Sequence, residues 1–105
     1  MADFGTPFSG IALDRKLTHS ELVRAVRFMV AAEYEAVQLY MQLAESADHA
    51  LAREVLKGIA DEERVHAGEF LRLLKELAPD EDGFYAKGAD EVQELIDRLP
   101  KAKRP

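Results

Sequence analysis

Ile59-Ala60-Asp61-Glu62-Glu63-Arg64-Val65-His66-Ala67-Gly68-Glu69-Phe70 is the stretch on which the reading of this chain turns. It reads as the middle of a long helix, and within it Glu63 and His66 stand three residues apart. Residues at that spacing share a helix face, so the carboxylate and the imidazole converge on one volume. This donor pair suits a borderline divalent metal such as Fe²⁺, Mn²⁺ or Zn²⁺. Glu-x-x-His alone occurs on many solvated helices. Its weight depends on the face it occupies and on the ligands that the rest of the chain supplies.

That face is apolar. Ala52, Leu56, Ile59, Glu63, His66, Phe70, Leu73 and Leu77 follow a 4-3-4-3-4-3-4 spacing, an a/d seam broken only by the motif itself. A helix is expected over 49–78, with Asp48 as its N-cap and Pro79 plus the polar run Asp80-Glu81-Asp82-Gly83 as its stop. Upstream, Thr18-His19-Ser20-Glu21 is a capping box that opens a first helix over 18–47. Leu22, Val26, Met29, Glu33, Ala36, Tyr40, Leu43 and Ala47 repeat the same seam, interrupted only by Glu33 and Tyr40. Val23, Val30, Val37 and Ala44 widen the stripe enough to meet more than one neighbour.

A short turn near Asp48 folds the two helices into an antiparallel hairpin. Glu33 lies fifteen residues before Asp48 and Glu63 fifteen after it. At about 1.5 Å per residue, both sit roughly 22 Å from the turn. They meet at one level on inward faces, with His66 one turn further along. Three ligating groups in an apolar seam are costly unless something pairs them. An ion pair of Glu63 with His66 would leave Glu33 alone, because no lysine or arginine occupies either seam. A metal satisfies all three.

One chain nevertheless supplies half a site. A bundle di-iron centre takes a Glu from each of two helices and a Glu-x-x-His from each of the other two. Two copies about a two-fold axis complete the set. Four carboxylates then balance two divalent ions. The expected fold is all-α: a long antiparallel two-helix hairpin plus a short C-terminal helix, with a four-helix bundle completed by dimerisation.

Residues 1–17 read as an irregular arm holding Gly5, Pro7 and Gly10. Phe84 to Lys87 read as a connection, 89–99 as a short third helix with Val92, Leu95, Ile96 and Leu99 on its stripe, and 100–105 as a basic tail. At 105 residues the chain reads as a single domain, near the lower limit for a self-sufficient core. Its net charge of −6, without a basic face, argues against nucleic acid as a partner. With no cysteine, disulfides, zinc-thiolate sites, iron–sulfur clusters and thiol catalysis are excluded. No apolar run approaches about 18 residues, and the N-terminus lacks a basic-then-apolar pattern, so neither membrane span nor signal peptide is expected and the reading is cytoplasmic.

The opening stretch and Ala32-Glu33-Tyr34-Glu35-Ala36-Val37-Gln38-Leu39-Tyr40 together resemble the ferritin-like superfamily. The half-length chain is similar to the encapsulated ferritins, over about Leu17 to Leu99. That resemblance implies a ferroxidase, in which dioxygen oxidises Fe²⁺ to Fe³⁺ at a di-iron centre on a subunit interface, for iron storage and detoxification. It implies Glu33, Glu63 and His66 as ligands, Tyr40 beside them, and two Fe per dimer interface, with Mn, Zn or Ca as substitutes. It also implies a homodimer, a higher ring such as a decamer, and a place inside an encapsulin nanocompartment with the shell protein as partner. Relatives carried as cargo often end in an apolar or Gly-Leu-rich docking peptide, whereas the last residues here are Lys103-Arg104-Pro105. Glu35 and Glu62 flank the ligands and are candidates for an entry site, while His19 and His49 are placed to cap helix ends. Two rival readings are a rubrerythrin-type di-metal enzyme handling peroxide, without its usual cysteine-ligated iron, and a non-catalytic helical dimerisation module.

Overall fold

Thr18 opens the first helix as the capping box predicts. The Glu21 amide donates to Thr18 Oγ1 at 3.1 Å, and the Thr18 amide donates to Glu21 Oε1 at 2.9 Å. The architecture is that of a computed structural model describing residues 14–100. The parts of the expected arm and tail at 1–13 and 101–105 lie outside the described residues. Helix α1 spans His19–Ser46, α2 spans Ala50–Leu77 and α3 spans Glu81–Arg98. The first two form the antiparallel hairpin, and α3 continues from the end of α2.

The hairpin core runs along heptad lines beside the predicted seams. Val23, Val30, Val37 and Ala44 are buried on α1, joined by Val26, and Ala60, Ala67 and Leu74 are buried on α2. Alanine on one helix opposite valine on the other permits close approach of the backbones. Val23, Val26 and Leu74 form one buried cluster near the open end, with Phe70, Leu77 and Ala78 packed against it. One line of each a/d seam shares this interior: Val26 is buried, and Glu33, Tyr40, Ala47, Leu56, Glu63, Phe70 and Leu77 are half-buried. Leu22, Met29, Leu43 and Leu73, on the other line, are exposed, and Met29 keeps 43% of its surface. The expectation that these seams face inward therefore holds for the first line and is corrected for the second. The residues that widen the stripe help close the hairpin, and the second line forms one flank of it.

Two further corrections concern helix ends. His49, not Asp48, caps α2: its Nδ1 accepts from the Ala52 amide at 3.2 Å. Asp48 stands one residue too early, and a neutral imidazole supplies the acceptor an N-cap needs. At the other end of α2, the His19 Nε2–H donates to the Leu77 carbonyl at 2.7 Å, tying the start of α1 to an orphan carbonyl.

The third helix begins at Glu81 rather than at 89. The run read as a stop signal does end α2, but Glu81 and Asp82 also form the acidic first turn of α3, where carboxylates favour the helix N-terminus. Gly83 and Gly88 stay within it, each at a cost of roughly 1 kcal/mol. Arg27 pairs with Glu81, Tyr85 donates to Glu81, and Lys75 meets Asp82 at 3.0 Å. These polar clips anchor the root of α3, which buries none of its own residues.

The box at the start of α1 yields a pH test. Arg15 grips Glu21 in two hydrogen bonds of 2.8 and 2.7 Å. That grip, followed by the Thr18 amide, holds the Glu21 carboxyl at about 2 against an ordinary 4.5. A depressed folded value adds stability that is complete above pH 4.5 and is lost as the pH falls toward 2. Glu21→Gln should therefore show a flatter decline of melting temperature between those limits than the parent, measured by circular dichroism across an acid series.

Candidate metal centre

Glu33 projects from α1 and Glu63 with His66 from α2, at matching distances from the turn. One ligand atom from each of the three lies within 4.8 Å of the others. His66 Nδ1 stands 3.7 Å from Glu33 Oε2 and 3.6 Å from Glu63 Oε2. Both separations exceed a hydrogen bond. They match the gap between two donors of one ion, since ligands about 2.1 Å from a metal stand roughly 3 to 4.2 Å apart.

Glu33 Oε2 is buried and has no hydrogen-bond partner among the described residues. A buried carboxylate oxygen without a partner is expensive, and structures rarely keep one for packing alone. The carboxylates are mostly enclosed, with side-chain exposures of 16% for Glu33 and 19% for Glu63, while His66 remains 47% open. An oxygen-rich set with one imidazole fits iron or manganese, so the residues present suit the group expected of them.

The other candidates stand apart from this cluster. Tyr40 is half-buried on the same α1 seam, seven residues on from Glu33. Glu35 and Glu62 are exposed. Beside the cluster opens a cleft of about 490 Å³ lined by Glu33, His66, Glu69, Phe70 and Leu73. Glu69 is the residue that sequence reasoning passed over. It lies off the a/d line, and only the adjacent 62-66-69-73 row brings it to the same cleft.

Comparison with known proteins sets this geometry in a family. The rubrerythrin family profile matches residues 25–103, which include both carboxylates and the histidine. The chain belongs to the rubrerythrin family. Among its relatives, the encapsulin nanocompartment cargo protein EncC of Myxococcus xanthus is 38% identical over 90 residues, covering 86% of this chain and 68% of its own. A ferritin-like–encapsulin shell fusion protein of Pyrococcus furiosus is 37% identical over 82 residues. Those residues are 78% of this chain but only 24% of the fusion protein. The crystal structure of the encapsulated ferritin domain from Pyrococcus furiosus superposes with a TM-score of 0.77 at 34% identity. The superposition covers 86% of this chain and 92% of that one. The resemblance drawn from the two quoted stretches and the all-α fold it implied are both borne out.

The orphaned oxygen predicts a trade between stability and binding. In metal-free protein, Glu33→Leu should melt higher than the parent by an amount on the order of 1 kcal/mol, because it removes an uncompensated carboxylate from the seam. Added divalent metal should stabilise the parent and leave the variant unchanged, measured by calorimetry with and without chelator.

Proposed function

We propose that the chain is a ferroxidase that passes electrons from Fe²⁺ to dioxygen at a two-metal centre built from two copies. Glu33, Glu63 and His66 of each copy would hold the ions. The buried, partnerless oxygen of Glu33 within 4.8 Å reach of two other donors is the observation that carries this reading. Iron at such a site supplies one-electron redox chemistry. The carboxylates favour the ferric product through their charge. Tyr40, on the same seam, is placed to hydrogen-bond a ligand or relay a proton.

Exposed apolar side chains support the second copy. Leu22, Met29, Leu43 and Leu73 lie open on the flank that carries the half-site. Burying the flank against its symmetry mate brings together four carboxylates, two each of Glu33 and Glu63, which balance two divalent ions. The names of the relatives support a location inside an encapsulin nanocompartment, with the shell protein as partner. No helix among the described residues is long and apolar enough to cross a membrane.

A second reading draws on the matched family description: a rubrerythrin-type enzyme that spends the electrons of Fe²⁺ on peroxide. One experiment separates the two. The parent should consume dioxygen when Fe²⁺ is added, and Glu33→Ala or His66→Ala should lose at least 90% of that rate, a scale in keeping with loss of a ligand. Iron oxidation that proceeds with peroxide and not with dioxygen would favour the second reading. In sedimentation, the parent should shift from monomer toward dimer or larger species as metal is added.

A further inference from the structure

Charge rather than packing joins α3 to the hairpin. None of its residues is buried, and α1 and α3 share no close backbone approach among the described residues. Phe84, Val92, Leu95 and Leu99 stand open along it. What crosses to it is polar. Arg27 of α1 pairs with Glu81, Tyr85 donates its hydroxyl to the same carboxylate, and Lys75 of α2 meets Asp82 at 3.0 Å. Arg27, Lys75 and Asp82 each keep about half of their side chains in solvent. Exposed pairs of this kind are weak and are screened by salt.

The chain beneath those pairs is a short joint. Leu77 is tied back to α1 through the His19 Nε2–H, so the end of α2 is fixed. Beyond it Ala78-Pro79-Asp80 separates the two helices, and Asp80 makes no side-chain cap bond. At about 1.5 Å per residue α3 is roughly 27 Å long, so a small rotation at the joint moves its far end by several ångström. We propose that Arg27 with Glu81 and Lys75 with Asp82 form an electrostatic latch that holds α3 at one angle to the hairpin. As ionic strength rises the latch opens, and the intact helix swings about residues 78–80. Glu81 is the hub. Arg27 first and Tyr85 second hold its carboxyl below the ordinary range, so it stays charged at neutral pH with Asp80 and Asp82 beside the same groups. The latch lies outside the metal cluster, and its opening leaves Glu33, Glu63 and His66 in place on the hairpin.

The absence of cysteine lets two be placed without background. Spin labels at Gln38→Cys on α1 and Glu94→Cys on α3, both exposed positions, report the angle by pulsed electron paramagnetic resonance. The full-length labelled chain is diluted with unlabelled chain, so that only distances within one molecule are read. At low salt the parent should give one narrow distance, and its distribution should broaden by about twofold or more at about 1 M salt, where the screening length is about 3 Å. Arg27→Ala and Glu81→Gln should be broad already at low salt, and Arg27→Lys should restore the narrow distance. Helical circular dichroism should stay constant throughout, because α3 turns as a unit. A distance that is narrow and unchanged in parent and variants overturns the latch, and so does a parent that is broad at low salt. Helical signal lost with salt overturns it too, since α3 would then melt rather than swing.

Discussion

The unpaired carboxylate of Glu33 is the constraint around which this molecule is arranged. An apolar seam tolerates a charged group only when a partner offsets its desolvation, and neither seam offers a lysine or arginine. Glu63 and His66 approach without closing a hydrogen bond to it, so the three groups leave a gap between their ligand atoms. Packing nearby keeps that gap in register. The buried line of valines and alanines fixes how the helices slide past one another, and with it the level at which the three side chains meet.

Much of this was legible in the sequence because helical period and chain length are rigid rules. Equal spacing of Glu33 and Glu63 from the turn was enough to bring them together, and the Thr18 box was enough to start α1. What failed was direction. Two adjacent heptad lines, Leu22-Met29-Ala36-Leu43 and Val23-Val30-Val37-Ala44, are almost equally apolar, and periodicity alone does not say which of them meets the sister helix. The second carries the smaller side chains, and close backbone approach selects it.

Helix ends were misjudged for a related reason: one residue can serve two neighbours. Asp80 to Gly83 end α2 and begin α3, so punctuation read as a loop is a junction with almost no loop in it. His49 caps through a ring nitrogen, which preference lists for caps undervalue. Glu69 went unnoticed because it belongs to neither seam; only the cleft drawn by Phe70 and Leu73 brings it beside the cluster.

Splitting the apolar surface into two lines also separates folding from assembly. The valine–alanine line joins segments that are neighbours in the chain across a short turn, a local topology that closes quickly. In the proposed two-copy centre, the seam is satisfied by a different molecule and so waits on a bimolecular encounter. On that proposal, a newly made chain can be fully hairpinned yet hold only half of its redox apparatus, and isolated subunits would not turn over iron. Subunit concentration would then control where the chemistry starts, and confinement with other copies would raise that concentration without any change in the protein itself.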